Sequence, residues 1–253
     1  MNSSGPIFVD KKSDIGVLML HGFTSTPDQF KELSDFLVKR GFSVLVPVVA
    51  GHGTCPADLE KTSPEDWKQS AKAAYLELKK VSKKIFIIGN SFGSNLAFWL
   101  VREFDNEPIG VVSLGAPIFM RYHKFILCRL YTYGLLQKNY RKPRRIYRTD
   151  YTDFNDEITY PIIPCKSLRD FFGFLKNETV PNLNKIKIPI LVGQSDSDNV
   201  VKPKSATYIY EHVGSELKRI YWFPGKAHVI MSHKRRDELF EKIYSFLTEI
   251  THK

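Results

Sequence analysis

Six short apolar runs are spaced along the chain, and they constrain its fold more than any other feature. They are almost continuously apolar rather than alternating, which is typical of parallel strands buried on both faces. The runs are Ile15–Leu20, Val44–Val46, Ile85–Ile88, Val111–Leu114, Ile188–Val192 and Ile220–Phe223. Because amphipathic segments with helical spacing separate them, the sequence predicts an α/β fold with a mostly parallel, doubly wound sheet.

Several of the intervening helices have recognisable starts. Thr26–Gln29 predicts an N-cap, a proline in the first turn and a capping-box glutamine, and Ser63–Asp66 repeats the pattern. We expect the first helix to end at Gly41 and the second near Val81. A helical stripe of apolar residues between Leu239 and Ile250 predicts a last helix at the end of the chain.

Length and cysteine content narrow the class of protein. A chain of 253 residues suits one large domain with an insertion. No run approaches the roughly 18 apolar residues of a membrane span, and no signal-peptide core is expected near the first residue. Cys55, Cys128 and Cys165 are widely spaced and odd in number, so we expect neither a disulfide framework nor a metal site. A reducing compartment, the cytoplasm, fits this usage.

The net charge of +10 comes almost entirely from one stretch of the chain. Residues 117–149 contain nine of the 37 Lys and Arg residues and none of the 27 acidic ones, so the rest is nearly neutral. The same stretch is rich in Phe and Tyr. We therefore predict an inserted basic, aromatic cap over residues 117–180, within a core formed by residues 1–116 and 181–253.

The basic charge of this cap has three interpretations. It is a solvated surface, or it attracts the protein to anionic membranes or micelles, or it recognises an anionic substrate. No nucleic-acid-binding motif occurs in the chain, so a nucleic acid partner is not expected.

A candidate nucleophile follows the third apolar run. Gly89-Asn90-Ser91-Phe92-Gly93 has the pattern G-x-S-x-G between a predicted strand and a predicted helix. The turn is so sharp that side chains at positions 89 and 93 are expected to collide with neighbouring backbone. The strained turn exposes the Ser91 hydroxyl at a helix N-terminus, where negative charge is favoured. An ordinary strand-to-helix turn with a small polar residue is the alternative.

Two backbone N–H groups are candidates for an oxyanion hole. Hydrolases built on such a turn take one donor from the residue after the nucleophile, here Phe92, and another from the loop after an early strand. That loop contains His21, Gly22 and Phe23, and Phe23 is the expected second donor. We interpret His21 as a hydrogen-bonded scaffold of the loop rather than a catalytic base. His52 is interpreted as a structural loop residue, and a position in the wall of the site is the alternative.

A serine hydroxyl needs a general base, usually a histidine oriented by a carboxylate. His228 follows the last apolar run and lies at the same sheet edge as Ser91, so it is the predicted base; His233, near the start of the last helix, is its nearest rival. Asp198 and Asp196 share the loop after the fifth run. Asp198 is favoured because Val200 and Val201 follow it as an apolar anchor, and Asp196 remains the alternative.

Five blocks of sequence resemble the α/β-hydrolase superfamily, and more closely its small bacterial carboxylesterases and monoacylglycerol lipases. They are Leu20–Thr24, Gly51–Gly53, Gly89–Gly93, Asp198–Pro203 and Gly225–Ile230. The resemblance implies an α/β-hydrolase fold and hydrolysis of carboxylic esters through an acyl-enzyme. The acid-loop block also favours Asp198.

The expected function is therefore a serine hydrolase of short to medium acyl esters, including monoacylglycerols. Ser91, His228 and Asp198 are the predicted catalytic residues, Phe23 and Phe92 the oxyanion donors, and no cofactor is expected. Thioesterase, amidase and acyltransferase activities use the same residues and stay open as alternatives. A non-catalytic ligand-binding protein is the remaining alternative.

Overall fold

The computed structural model describes residues 5–132, 138–142, 159–232 and 235–251. Its main sheet contains β1 (Ile7–Val9), β2 (Ile15–Leu20), β3 (Ser43–Val46), β4 (Lys84–Asn90), β5 (Gly110–Leu114), β8 (Ile190–Ser195) and β9 (Lys218–Phe223). The order across the sheet is β1-β3-β2-β4-β5-β8-β9. Every neighbouring pair is parallel except β1 with β3. The predicted α/β class with a mostly parallel sheet is confirmed.

Helices cover both faces of this sheet. The described helices are α1 (Lys31–Lys39), α2 (Pro56–Lys61), α3 (Pro64–Lys79), α4 (Phe92–Glu103), α5 (His123–Thr132), α6 (Cys165–Phe174), α7 (Lys204–His212) and α8 (Arg236–Thr251). Those that pack on the sheet are α1, α3, α4, α7 and α8. Successive side chains of a strand point to opposite faces. Thus Leu18 and Leu20 join the apolar layer with α3, α4 and α7, while Val17 and Met19 join the layer with α1 and α8.

The two predicted helix starts differ in the structure. Ser63 and Asp66 form the capping box of α3, with the Ser63 N–H donating to the Asp66 carboxylate at 2.8 Å. The predicted box at Thr26 is wrong, because a 3₁₀ turn occupies Pro27–Phe30 and the Thr26 side chain makes no cap bond. Gln29 instead accepts the buried N–H of Gly22 at 3.0 Å. An unpaired buried N–H lowers the stability of the folded state, so the bond from the Gly22 N–H to Gln29 is favoured over a cap bond.

We call the chain between β5 and β8 the connecting segment (residues 115–189), and its described residues lie outside the main sheet. Its described part contains α5, α6 and a small antiparallel sheet of β6 (Asn139–Arg141) and β7 (Ile162–Pro164). Near its start it pairs with the loop after β8. The Arg121 N–H donates to the Val200 carbonyl at 2.8 Å, and the Lys202 N–H donates to the Phe119 carbonyl at 2.8 Å.

The connecting segment is also bonded to the loop after β2. The Tyr160 N–H donates to the Thr24 carbonyl at 3.0 Å. The buried Tyr160 hydroxyl bonds to the loop after β3, where it donates to the Gly51 carbonyl and accepts from the Thr54 N–H, both at 2.9 Å. Across the described ranges, no helix has the length and apolar character needed to cross a membrane.

Candidate active site

Ser91 lies at a strained turn between β4 and α4. Its φ of 51° and ψ of −122° place a residue with a Cβ in a sparsely populated region, which costs about 1–3 kcal/mol. The predicted steric role of the two glycines is confirmed. A Cβ on Gly93 would lie 1.8 Å from the Leu20 carbonyl oxygen, and a Cβ on Gly89 would lie 2.4 Å from the backbone of Ser94.

A chain of two hydrogen bonds links Ser91, His228 and Asp198. The Ser91 Oγ lies 2.9 Å from His228 Nε2, and His228 Nδ1 lies 2.9 Å from Asp198 Oδ2. Because a carboxylate only accepts, Nδ1 carries the proton and Nε2 can accept the serine hydroxyl. Both partners are withdrawn from solvent, Asp198 at 0% and His228 at 8% exposure. The three residues thus form a serine–imidazole–carboxylate relay.

The Asp198 carboxylate is fixed by three further donors. Its Oδ1 accepts the N–H groups of Val200 at 2.7 Å and Val201 at 2.9 Å. Its Oδ2 accepts the side-chain amide of Gln194 at 2.7 Å. The sequence analysis missed Gln194. The signal that could have identified it is a polar residue within the buried strand β8, four residues before the acid.

Asp196 has a different place. Its Oδ1 accepts the exposed Gly225 N–H at 3.2 Å, so it caps the turn after β8 rather than contacting His228. The structure therefore brings Asp198, and not Asp196, to the imidazole. Of the other histidines, His123 lies in α5 and His212 in α7; His233 and His252 lie outside the described residues.

The loop after β2 passes directly beside Ser91. A Cβ on Gly22 would lie 3.4 Å from the Ser91 Cβ. Within the described ranges, the N–H groups of Phe23 and Phe92 donate to no protein acceptor. Phe92 opens α4, so the partial positive charge of that helix N-terminus adds to its N–H. These two N–H groups have the free donor capacity that an oxyanion requires.

His21 holds this loop in place, as predicted for a scaffold. Its Nδ1–H donates to the Gly22 carbonyl at 3.0 Å, while its Nε2 accepts the Val49 N–H at 3.1 Å. Burial lowers the pKa of His21 to about 4, so the imidazole is neutral at neutral pH. A protonated ring could not accept from Val49, so the neutral tautomer is the form that builds the loop.

His52 is a structural residue beneath the same loop. Its Nδ1–H donates to the Ala50 carbonyl at 3.0 Å, and its ring packs against those of Phe23 and Trp67. Burial, aided by the neighbouring His21, lowers the pKa of His52 to about 3. It does not line the pocket at Ser91, so the prediction of a structural loop residue is confirmed.

The pocket at Ser91 is a cavity of about 110 Å³. Its apolar wall is formed by Phe23, Met120, Ile163, Leu168, Phe171 and Val229. Its polar wall contains Thr24, Lys142 and Thr159 at one place, and Ser25 and Asn90 at another. The Ser25 hydroxyl and the Asn90 amide are buried and have no hydrogen-bond partner in the described part of the chain. The pocket thus combines apolar space with unsatisfied polar groups.

No group of three His, Cys, Asp or Glu side chains in the described residues is arranged to hold a metal ion. The site residues fit nucleophilic chemistry, because they supply a nucleophile, a base, an orienting carboxylate and two N–H donors.

Comparisons with known proteins agree with this geometry. The family model described as serine aminopeptidase S33 matches residues 11–235. A carboxylesterase from Bacillus subtilis (strain 168) is 29% identical over 249 residues, covering 96% of each chain. A thermostable monoacylglycerol lipase from Bacillus sp. (strain H-257) is 29% identical over 246 residues, covering 96% of this chain and 94% of the lipase. A solved structure reported for LipS and LipT, two metagenome-derived lipolytic enzymes, superposes with a TM-score of 0.88 at 25% identity, covering 98% of this chain and 100% of the other.

Proposed function

Because the chain belongs to the serine aminopeptidase S33 family, we propose that it is a serine hydrolase that cleaves carboxylic esters through an acyl-enzyme on Ser91. The observation that carries this proposal is the relay from Ser91 through His228 to Asp198, beside two free N–H donors. The carboxylesterase and the monoacylglycerol lipase that match nearly the full chain support an ester as the substrate.

The mechanism follows from the positions of these atoms. The Ser91 hydroxyl attacks the ester carbonyl as His228 Nε2 takes its proton. Asp198 holds the ring by Nδ1 and stabilises the imidazolium that forms. The N–H groups of Phe23 and Phe92 donate to the oxyanion, His228 protonates the leaving alcohol, and water then releases the acid by the same steps.

Esters, rather than the N-terminus of a peptide, are the proposed substrates. The two relatives that match nearly the full chain are a carboxylesterase and a monoacylglycerol lipase. We therefore expect amino acid p-nitroanilides to be far poorer substrates than simple esters.

Residues 117–180 are proposed to form a cap that limits the acyl chain. Met120, Ile163, Leu168 and Phe171 from this range line the pocket together with Ser91. The cavity is small, at about 110 Å³, and these apolar side chains bound it. Short to medium acyl chains, including those of monoacylglycerols, are therefore the proposed substrates.

Active-site labelling tests the mechanism. A fluorophosphonate probe should label the wild-type protein and not Ser91→Ala. A folded wild-type protein that stays unlabelled would refute a serine hydrolase. An ester panel from acetyl to long-chain acyl groups should then peak at short to medium length, whereas a maximum at long-chain triglycerides contradicts the proposed cap.

The two aspartates of one loop provide a matched pair of variants. Asp198→Asn should lower kcat by about 10³- to 10⁴-fold, because the amide favours the wrong tautomer of His228. Asp196→Asn removes the same charge two residues away and should change kcat by less than about 3-fold, since Asp196 contacts the Gly225 N–H. Equal losses of kcat in both variants would refute the proposed role of Asp198 in orienting His228.

The exposed face of α5 is proposed to contact anionic lipid surfaces. Tyr122, which directly precedes the helix, and Phe125 and Tyr131 within it are 60–68% exposed. Lys124 and Arg129 are exposed beside them. Aromatic side chains next to cations suit the boundary between lipid headgroups and acyl chains. The opposite side of this helix is fixed to the protein, because Leu130 is buried and Ile126 and Leu127 pack against the apolar layer.

Vesicle binding at several salt concentrations tests this contact. Each cation near an anionic bilayer contributes about 1 kcal/mol, so Lys124→Gln/Arg129→Gln should weaken binding to phosphatidylserine vesicles by about 30-fold. Lys185→Gln/Lys187→Gln removes two exposed cations near the amino end of β8, the sheet edge opposite Ser91, and serves as the control. The lipid contact would be refuted if vesicle binding did not change with salt concentration, or if the two double variants weakened binding equally.

The three cysteines support an intracellular site of action. Cys55 and Cys128 are exposed free thiols, and Cys165 is a buried one. Exposed free thiols persist where the surroundings are reducing. We therefore propose the cytoplasm as the location.

A further inference from the structure

We propose that Ser25 and Asn90 form an acceptor subsite that selects the nucleophile attacking the acyl-enzyme. The subsite favours water and small diols, such as ethylene glycol, over alcohols whose remaining part is apolar. It rests on the proposed ester hydrolase function and adds a second activity, acyl transfer to diols. Ser25 and Asn90 are thus specificity-determining residues for the second half of the reaction.

The cavity at Ser91 has an apolar wall and a polar end that belong to opposite faces of the main sheet. Asn90 shares a face of β4 with Ile88, because alternate side chains of a strand point the same way. Ile88 and the pocket residue Val229 belong to the layer with α1 and α8. The lining residues that join the opposite layer, with α3, α4 and α7, are Phe23, Met120, Ile163, Leu168 and Phe171.

Both polar residues are next to the groups that perform the reaction. Asn90 directly precedes Ser91 in the chain, and Ser25 follows Phe23 by two positions. A Cβ on Gly22 would lie 3.6 Å from Asn90 Nδ2 and 3.4 Å from Ser91 Cβ, so the amide and the nucleophile lie against the same residue. The Ser25 N–H donates to the Gly22 carbonyl at 3.1 Å, which closes a tight turn around Phe23.

The side-chain polar atoms of Asn90 and Ser25 are buried but unpaired. Asn90 is 0% exposed and Ser25 is 4% exposed. Neither the amide nor the hydroxyl has a hydrogen-bond partner within the described ranges, and both residues line the cavity. Buried polar groups are normally hydrogen-bonded, so these two require a partner that enters the cavity. An amide and a hydroxyl each supply donors and acceptors, so water or a neutral molecule with hydroxyl groups complements them.

The polar end is on the side from which the alcohol leaves. Val229 follows His228 in the chain, and both line the cavity. His228 Nε2, which lies 2.9 Å from Ser91 Oγ, protonates the departing alcohol oxygen. The nucleophile of the second half-reaction enters at the same place, because deacylation is acylation run in reverse with another acceptor.

The acceptor step needs no reactant beyond the acyl-enzyme and the acceptor. The acceptor oxygen attacks the acyl carbonyl carbon while His228 Nε2 takes its proton. The bond from this carbon to Ser91 Oγ then breaks, and His228 returns the proton to Ser91. Water gives the free acid, and an alcohol gives a new ester. A diol that reacts through one hydroxyl offers the other to Ser25 and Asn90, whereas a methyl group at that place leaves both unpaired.

A structural water that pairs with both side chains is the competing explanation. Such a water stays in place whichever alcohol reacts, so loss of the two polar groups then affects all alcohol acceptors equally. The choice between two alcohols of matched size therefore distinguishes the two roles.

The test uses one acyl donor and two competing acceptors. p-Nitrophenyl butyrate forms the same butyryl-enzyme in every reaction, and ethylene glycol and 1-propanol are supplied together at equal concentrations. These acceptors differ by the exchange of one hydroxyl for a methyl group. The measured quantity is the initial ratio of 2-hydroxyethyl butyrate to propyl butyrate, determined by gas chromatography. The ratio cancels changes in the rate of acylation.

Three variants complete the test. Ser25→Ala removes the hydroxyl, and Asn90→Leu replaces the amide with an apolar group of the same number of heavy atoms. Ser113→Ala is the matched control, because it removes a buried hydroxyl of β5 that also has no partner in the described part of the chain but does not line the cavity. We expect the product ratio to fall about 3- to 10-fold in Ser25→Ala and in Asn90→Leu, and by less than about 1.5-fold in Ser113→Ala.

The outcomes separate the acceptor subsite from the proposed function. The subsite is overturned if wild type forms no 2-hydroxyethyl butyrate, if Ser25→Ala and Asn90→Leu both keep the wild-type ratio, or if Ser113→Ala loses as much as they do. Ser91-dependent release of butyrate in the same reactions leaves the ester hydrolase function intact. If wild type does not cleave p-nitrophenyl butyrate, the proposed function itself fails.

Discussion

Acid should destabilise this protein through two buried imidazoles, His21 and His52. Each is almost fully buried, at 1% and 2% exposure, and each is arranged to be neutral. Protonation of His21 would set an N–H against the N–H of Val49, which now donates to its Nε2. Protonation of His52 would give a proton to a buried Nε2 that has no partner in the described part of the chain.

The magnitude follows from the difference between folded and unfolded pKa values. The pKa is lowered from 6.5 to about 4 for His21 and to about 3 for His52. Because the unfolded chain binds these protons first, stability is complete above pH 6.5 and falls as the pH drops toward the folded values. At 1.36 kcal/mol per pKa unit, each histidine costs about 2 kcal/mol between pH 7 and pH 5. The total of about 4 kcal/mol is a large part of a typical stability of 5–15 kcal/mol.

Denaturant unfolding at pH 7 and pH 5 measures this loss. His52→Asn keeps a donor toward the Ala50 carbonyl but does not titrate, so its loss between the two pH values should be smaller than that of wild type by about 2 kcal/mol. His212→Asn removes an exposed imidazole that bonds within α7 and is the control. If wild type and His52→Asn lose the same stability between pH 7 and pH 5, the argument from burial is refuted.

Three further substitutions test the geometry at Ser91. Gly93→Ala puts a Cβ 1.8 Å from the Leu20 carbonyl oxygen, so it should abolish fluorophosphonate labelling and lower Tm; normal labelling would show that the turn relaxes. Gln194→Leu removes a 2.7 Å donor to Asp198 and should lower kcat about 10-fold with KM changed less than about 3-fold; a change confined to KM contradicts a positioning role. The free energy of unfolding of Ser91→Gly should exceed that of Ser91→Ala by about 1 kcal/mol, since glycine relieves the strain at φ 51°. Equal free energies of unfolding would mean that the turn stores no strain.

The central sheet was predictable because its signals are local. Buried parallel strands are recognised in the sequence as continuous apolar runs. The sequence analysis did not predict β1, because this strand has only three residues and one of them, Phe8, is exposed. The small sheet of β6 and β7 was missed for a similar reason, since each strand has three residues and their pairing spans the insertion.

The proximity of Ser91, Asp198 and His228 was anticipated because parallel strands place their carboxyl ends at one sheet edge. The residues that hold them were harder to foresee. Gln194 and Gln29 act through hydrogen bonds to partners that the fold brings together, and no local rule predicts either bond. The wrong prediction of a capping box at Gln29 shows why local rules fail at such positions. The side chain pairs with the buried N–H of Gly22 instead of with its own helix start.

Hydrogen bonds at two places in the connecting segment restrict how its substrate pocket can be altered. Residues near its start pair with the loop that carries Asp198, and Tyr160 bonds to the loop that carries Phe23. A transplanted or redesigned segment would therefore have to reproduce both attachments to leave the reaction geometry intact. Substrate specificity can therefore be changed independently of turnover only by substitutions between the two attachment points. Substitutions at the attachment points themselves should alter turnover together with substrate choice.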